Sequence, residues 1–378
     1  MSKHKLIISS AGSGKTSFLV KKAIENKDQR ILITTYTENN EIEIRKKFIA
    51  KLGYLPKNVT IQSWFSFLIQ HGVKPFQGSL WEPLFNFDIK GLILVNSKSG
   101  KWYYDEKNKR QVYFGENRPK NFYFGNGYIF SDKLSKLAFS TNAASKGNII
   151  DRISRIYDHI MIDEVQDLAG HDLELIKLLM KSCGNVTMVG DPRQVTYLTH
   201  LEAKNKPYRN GKIANYLIDK CKNLIKDGID EATLVVSHRC VSSICTYSSK
   251  LYPNFPITIA CDCCHNEVNI HEGVFLVKPS DVDSYLNKYY PIQLRWSKSI
   301  ETNSEFQSVN FGESKGATFD RVLVYPTDKM KEWIEDNSKD LPNETRAKLY
   351  VGITRAKFST AIVLDYDDNK NYDGMLKF

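Results

Sequence analysis

No apolar run in this 378-residue chain approaches the roughly 20 residues that would cross a bilayer. A membrane-spanning role is therefore not expected. No internal repeat or low-complexity tract is present, which excludes solenoid, fibrous and extended disordered classes. Cysteine is sparse, with seven residues, expected to be reduced thiols in a cytosolic chain. Lys3 to Ile8 carries no secretory signature, and the expected location is the cytoplasm. Acidic residues are the minority charge, 43 against 53 Lys and Arg, for a net +10 that suits a polyanionic partner without identifying one.

One cysteine cluster stands out: Cys261, Cys263, Cys264 and His265, with His271 beyond. Structural zinc draws a second ligand pair from another segment, and none is evident unless Cys240 and Cys245 fold back. The cluster reads as ordinary thiols.

The strongest positive feature is Ser9-Ser10-Ala11-Gly12-Ser13-Gly14-Lys15-Thr16. An apolar run, Leu6-Ile7-Ile8, leads into it and an amphipathic segment, Ser17 to Asn26, leads out. Strand, glycine-rich loop and helix in that order form a phosphate-binding loop. Backbone N–H groups from Ala11 to Ser17 would face a polyphosphate at a helix N-terminus. Lys15 would reach the β- and γ-phosphates, and the Thr16 hydroxyl would hold Mg²⁺.

Downstream, Asp163-Glu164-Val165-Gln166-Asp167 follows the strand-like run His159–Ile162. Asp163 is placed to hold Mg²⁺ with Thr16, and Glu164 to orient and deprotonate a water, making the reaction hydrolysis. Gln194, in Gly190-Asp191-Pro192-Arg193-Gln194, can sense a γ-phosphate. Two arginines, Arg239 and Arg355, suit the role of arginine fingers.

Apolar runs alternate with helical periodicity over residues 1–72 and 149–230, the signature of a parallel sheet with helical crossovers. Residues 73–148 break that rhythm. There Trp102-Tyr103-Tyr104, Tyr113-Phe114 and Phe122-Tyr123-Phe124 alternate with polar turns and with Lys107, Lys109, Arg110, Arg118 and Lys120. This segment reads as an inserted subdomain of hairpins, able to meet nucleic acid or a protein partner. A second α/β lobe is expected over 231–378, opening with a strand at Leu234-Val235-Val236. Asp365 to Gly374 reads as a frayed tail.

In order along the chain, Ala11–Thr16, Thr35-Tyr36-Thr37, Thr60-Ile61-Gln62-Ser63, Asp163–Asp167, Gly190–Gln194, His238-Arg239, Lys315-Gly316 and Leu349–Lys357 resemble the motifs of UvrD/Rep-type superfamily 1 helicases. The resemblance implies an α/β fold of two RecA-like lobes with parallel sheets. ATP and Mg²⁺ would bind in the cleft, and single-stranded DNA or a tailed duplex would lie across both lobes. It implies DNA contacts at Tyr36, Thr37, Thr60, Gln62, Ser63 and Tyr197, nucleotide contacts at His238 and Gly316, and 3′→5′ movement.

Several positions differ from the family pattern. No adenine-reading glutamine occurs among Met1–Ile8, so preference for ATP over GTP stays open. Thr199 stands where a DNA-stacking tryptophan is usual. The fifth motif, Gly312-Glu313-Ser314-Lys315-Gly316-Ala317-Thr318, lacks its histidine and glutamate, and its Gly316-x-Thr318 leans toward the superfamily 1 branch that moves 5′→3′. Residues 240–312 leave no room for the large second-lobe insertion, which implies a compact motor. A nucleic-acid-stimulated ATPase that regulates a larger complex without unwinding is the other reading. A kinase is disfavoured for want of an acceptor lid, and a nuclease domain is not expected in residues 358–378.

Overall fold

A computed structural model describes residues 3–95, 97–104, 109–199, 202–262 and 271–378. The chain divides into two compact units. One comprises Met1–Leu6, Thr16–Gly190 and Leu198–Ile229; the other comprises Ile7–Lys15, Asp191–Tyr197 and Asp230–Phe378. The loop residues Ser9–Lys15 thus group with the second unit and Thr16 with the first.

The fold is α/β with two six-stranded sheets. The first runs Ile229–Leu234, His4–Ser9, Asn185–Gly190, His159–Ile162, Ile31–Thr35, Val59–Ser63. Its strand Ile31–Thr35 lies parallel to both His159–Ile162 and Val59–Ser63. These strands are short apolar runs because both faces of a parallel sheet are covered; Ile31 to Thr35 is buried throughout. The crossover helix Glu38–Leu52 follows from local chemistry. Thr37 caps it by accepting from the Asn40 N–H at 3.2 Å, Glu38 and Glu41 occupy its first turn, and Gly53 closes it.

The second sheet runs Ser308–Asn310, Ile292–Arg295, Phe319–Val324, Ala356–Val363, Gly273–Val277, Leu376–Lys377, with each of these neighbouring pairs parallel. Its core gathers Ile244, Leu276, Leu294, Val322, Leu349, Tyr350 and Ile362, and Ala11 of the phosphate loop packs into the same cluster.

Three expectations are corrected. Leu234-Val235-Val236 is not one strand: Ile229–Leu234 joins the first sheet, and Val236–Ser237 pairs separately with Ile259–Ala260. Within the insert, Lys101–Tyr104 and Lys109–Val112 do form an antiparallel hairpin, but Phe122 and Tyr123 lie on a helix, Pro119–Tyr123. Proline at its first position favours that start, and the Phe122 ring is covered by the Lys133 and Lys136 ammonium groups at 4.9 and 5.4 Å. A longer helix, Ser131–Ala144, follows, with Leu134, Leu137, Ala138 and Thr141 buried at helical spacing. Lys107 lies outside the described residues. The segment Asp365–Gly374 is docked rather than frayed. Tyr366 and Tyr372 are buried, Lys278 bonds Asp368 at 2.6 Å, and Lys250 bonds Asp373 at 2.5 Å.

A buried carboxylate joins several parts of the first unit. Asp172, fully buried, accepts from Trp64 Nε1 at 2.7 Å, from Thr199 Oγ1 at 2.6 Å, from the Ala169 N–H at 3.3 Å and from Ser135 Oγ. Thr199 is thereby committed to the interior. Replacing Asp172 by Ala would strand these donors, each an orphan costing about 1–3 kcal/mol. Urea unfolding of Asp172→Ala is expected to show a loss of roughly 3 kcal/mol or more.

Candidate nucleotide and nucleic-acid site

In the first unit the chemistry collects at the carboxyl end of the sheet. Four buried residues, His159–Ile162, deliver Asp163 there, and its N–H continues the ladder to the Thr34 carbonyl at 2.8 Å. Asp163 is nearly inaccessible. One carboxylate oxygen accepts from Thr16 Oγ1 at 3.4 Å and the other from the Glu164 N–H at 2.9 Å. The two groups expected to hold Mg²⁺ are therefore neighbours, and a hydroxyl with a carboxylate is the hard-oxygen set that Mg²⁺ prefers. Ser17, one position on, accepts from Lys47 Nζ at 3.0 Å.

Glu164 sits in the left-handed region, φ +54°, turning the chain sharply after the strand. Its carboxylate receives the Gln166 side-chain amide. Gln166 is itself buried, and Gly190 makes room for it: a Cβ on Gly190 would lie 2.3 Å from Gln166 Oε1 and 3.0 Å from a Val165 methyl. Gln166 is a positioning residue that the sequence reading left without a role.

The residues expected to touch DNA lie mostly along the same edge. Register pairs Thr34 with Gln62 and Thr35 with Ser63, and Tyr36 and Thr37 follow directly. Thr60 pairs with Leu32, two residues deeper in the sheet. Tyr36 meets the Phe65 ring edge-on at 5.5 Å, while Ser63 caps the next short helix by accepting from the Ser66 N–H at 3.2 Å. The Gln62 amide donates to Gln70. Tyr197 belongs to the second unit, where the Lys315 ammonium lies 5.0 Å from its ring centre.

Within the second unit the phosphate loop has the left-handed turns its glycines permit, φ +73° at Gly12 and +80° at Gly14. The Ser13 N–H donates to the Ser10 carbonyl at 3.3 Å, and Lys15 opens the helix Lys15–Glu25. The Ser13 hydroxyl is buried without a hydrogen-bond partner, a donor of the kind a phosphate oxygen would satisfy. The Gly12 carbonyl accepts from the His238 N–H at 2.9 Å, and a Cβ on Gly12 would sit 2.6 Å from Arg239 Cβ.

Asp191 organises the neighbourhood of the loop. It is fully buried and accepts from Arg193 Nε at 2.8 Å, Gln194 Nε2 at 2.7 Å and Tyr350 Oη at 3.4 Å. The Arg193 guanidinium also donates to the Ser9 carbonyl at 2.7 Å and to Ser10 Oγ at 3.0 Å, anchoring the start of the loop. Burial opposes the Arg193 charge, but Asp191 more than offsets it, and Arg193 holds its proton more tightly than a free guanidinium. Tyr350 is completely buried, and that burial pushes its phenol up, so the hydroxyl stays protonated. The Ala11 N–H approaches the same hydroxyl at 3.4 Å.

Gln194 connects this network to Arg355. Its Oε1 accepts from Arg355 Nη2 at 3.1 Å, while Arg355 is further held by the carbonyls of Val351 and Ala317 at 3.2 and 3.3 Å. Arg239 reaches the same turn, donating to the Thr354 carbonyl at 3.2 Å. His238 and Gly316 are exposed, Gly316 at φ +89°. Gln194, Arg239 and Arg355 are thus brought together. Asp191, Arg193 and Tyr350 lay inside quoted motifs, yet nothing in composition or spacing marked them as buried.

Of the cysteine cluster, Cys263, Cys264 and His265 lie outside the described residues. The thiols of Cys240 and Cys245 approach the carbonyls of Thr354 and Cys240, each at 3.5 Å. Among the described residues no group of three or more potential metal ligands is found, and no helix is long and apolar enough to cross a membrane.

A family model, the UvrD/REP helicase N-terminal domain, matches residues 103–217, a stretch that contains Asp163–Asp167 and Gly190–Gln194. Comparison with curated proteins gives no match. Among solved structures, the PRRSV helicase is 14% identical at a TM-score of 0.45, with 97% of this chain and 53% of that one covered. Arterivirus nonstructural protein 10 (helicase) is also 14% identical, at a TM-score of 0.44 alone and 0.46 in complex with DNA. Those alignments cover 97% of this chain and 60% and 61% of the others. The chain spans between about half and three-fifths of these solved chains. The segment 103–217 thus carries the UvrD/REP helicase resemblance that the motif order implies.

Gly190 offers a test of the Glu164 arrangement. In Gly190→Ala the new methyl displaces Gln166, and with it the hydrogen bond on the Glu164 carboxylate. The nucleoside triphosphate turnover proposed below should then fall by roughly 100-fold in steady-state kinetics, the scale of an ångström-level misplacement. Nucleotide affinity should hold within about two-fold.

Proposed function

We propose that this chain is an ATP-dependent helicase or translocase that couples hydrolysis to movement on single-stranded DNA, with 3′→5′ polarity. The hydrogen bond between Gln194 and Arg355 carries the reading. It joins a group suited to sense the γ-phosphate to a cation suited to neutralise it, and Asp191 and Tyr350 extend that link to the phosphate loop. The match over 103–217 and the excess of basic residues support a nucleic-acid partner.

In this reading Ala11 to Ser17 wrap the triphosphate with their N–H groups, and Lys15 neutralises its outer phosphates. Thr16 and Asp163 hold Mg²⁺, which when bound draws charge from the phosphate oxygens. Glu164, oriented by Gln166, takes a proton from the attacking water. Loss of the γ-phosphate leaves Gln194 and Arg355 without their shared anion, and this is the event transmitted to the strand. His238 and Gly316 flank the nucleotide. Tyr36, Thr37, Thr60, Gln62, Ser63 and Tyr197 grip bases and phosphates without sequence preference. The lobes are assigned as 1–72 with 149–230, and 231–378, with 73–148 inserted. One observation favours the second reading, a stimulated ATPase serving a larger complex: Phe85 and Leu94 in the insert are 75% and 72% exposed, apolar side chains of the kind a protein partner covers.

Single-stranded DNA should raise ATP turnover. Lys15→Ala should abolish it, and Glu164→Gln should bind nucleotide normally while turnover drops by about 100-fold or more. Normal hydrolysis by Glu164→Gln would remove Glu164 as the base. Unwinding of a 3′-tailed but not a 5′-tailed duplex by the isolated chain supports the motor and its polarity. Stimulated hydrolysis without unwinding supports the second reading.

A further inference from the structure

Away from the residues already assigned, the second unit has a pocket of about 480 Å³ lined by Lys288, Tyr289, Tyr290, Phe319, Asp320 and Arg321, among others. That is within the ~300–1,000 Å³ usual for small-ligand sites. It lies where the helix Val282–Tyr289 ends and the strand Phe319–Val324 begins.

Its rings are held in place. Tyr289 stacks on His271 at 3.7 Å with planes 8° apart, and His271 stacks on Phe275 at 3.9 Å. His271 is tied to Tyr285 Oη at 2.8 Å, and burial, then Arg321 and Lys288, hold its imidazole down at about 4, so it stays neutral. Lys288 lies 5.3 Å from the Tyr289 ring centre, and Arg321 lies 5.9 Å from that of Phe358. Lys288 thus lies over a ring of the aromatic column, and the charge of Arg321 is felt at His271 within it. The one acid of the lining, Asp320, is paired with Lys357 at 2.9 Å.

Tyr290 is the unexpected member. It occupies the left-handed region, φ +49°, ψ 46°, a conformation that suits glycine or asparagine and disfavours a large side chain. It closes the helix, its N–H donating to the Leu286 carbonyl at 2.9 Å, and its ring, 73% exposed, lies 6.0 Å from that of Phe306. A left-handed helix cap does not call for an aromatic side chain, so the exposed ring at the mouth of a cationic, ring-lined pocket is available to a ligand.

We propose that this pocket binds one nucleotide unit, its base on the Tyr289 and Tyr290 rings and its phosphate between Lys288 and Arg321. Stacking on aromatic faces and charge on a phosphate are the chemistry of sequence-independent single-strand binding. The unit could belong to a strand or be a free mononucleotide, and the strand rests on the function proposed above. The site has a direct line to the nucleotide-sensing residues: the Phe319 N–H donates to the Arg355 carbonyl at 2.9 Å.

Photocrosslinking with (dT)20 carrying 4-thiothymidine, and separately with 4-thio-dTMP, tests the site in the full chain. Asparagine suits the left-handed cap at 290, and Lys288→Glu alters an exposed side chain, so Tyr290→Asn and Lys288→Glu should both fold, melt no lower than the wild-type chain and keep strand-free ATP turnover. The expected result is adducts at Tyr289 or Tyr290 in the wild-type chain. Strand affinity should fall roughly five-fold or more in each variant. Equal strand binding by wild type and both variants, with no adduct there, overturns the proposal. Failure of the wild-type chain to bind any strand defeats the nucleic-acid reading instead. The dTMP arm then decides the pocket alone: an adduct at these tyrosines supports it, and none overturns it.

Discussion

A carboxylate without water around it must be satisfied by protein donors, and Asp191 imposes that demand on the second unit. Its oxygens draw in Arg193, Gln194 and Tyr350, and Arg193 in turn holds the Ser9 carbonyl and the Ser10 hydroxyl. A buried pair of this kind adds little net stability, because the desolvation of both ions offsets their attraction. What it supplies is geometry. Removing either partner would leave an uncompensated buried charge, so the positions of the loop, of Gln194 and of Tyr350 cannot vary independently. Gln194 then presents its carbonyl oxygen in one direction only, toward Arg355.

The same logic governs the first unit at Asp163 and Glu164. The strand is apolar until its last residue, and the change to carboxylates occurs where the sheet ends. Asp163 is restrained from both sides, by Thr16 and by the Glu164 N–H. Glu164 is aimed by a left-handed turn and by Gln166, whose place depends on the missing side chain of Gly190. Three short motifs are therefore parts of single mechanical assemblies rather than separate signatures.

This explains what could be read from sequence. Parallel strands announce themselves as runs such as Ile31–Ile33 and Ile160–Ile162, because burial on both faces leaves no room for polar residues. The glycine turns of Ser9–Thr16 and the strand end before Asp163 were legible because such positions demand particular residue types. Arg193 was not, since an arginine after Asp-Pro looks like an exposed turn and only the fold reveals the Asp191 partner. The insert was legible in part. Its aromatics mark hairpins that form at Lys101–Tyr104 with Lys109–Val112 and at Phe124–Gly125 with Tyr128–Phe130, while Leu134, Leu137, Ala138 and Thr141 carried a helical period diluted by Lys and Ser. The segment Asp365–Gly374 looked frayed by composition, yet two tyrosines bury there and two lysines hold its acids.

Gly12 shows how one residue can answer two demands. Its positive φ permits the tight turn of a phosphate-binding loop, and that alone would justify glycine. The second demand comes from outside the loop. Its carbonyl takes the His238 N–H, and any Cβ would collide with Arg239 Cβ at 2.6 Å and Ser237 Oγ at 2.7 Å. The segment Ser237–Arg239 can approach the loop this closely only because nothing projects from Gly12. Arg239 is also tied to the Thr354 carbonyl, one residue before Arg355. A side chain at position 12 would therefore disturb the turn and the seating of both arginines together. The loop and the arginines form one coupled element, in which a change at position 12 is felt at Arg239 and at the turn before Arg355.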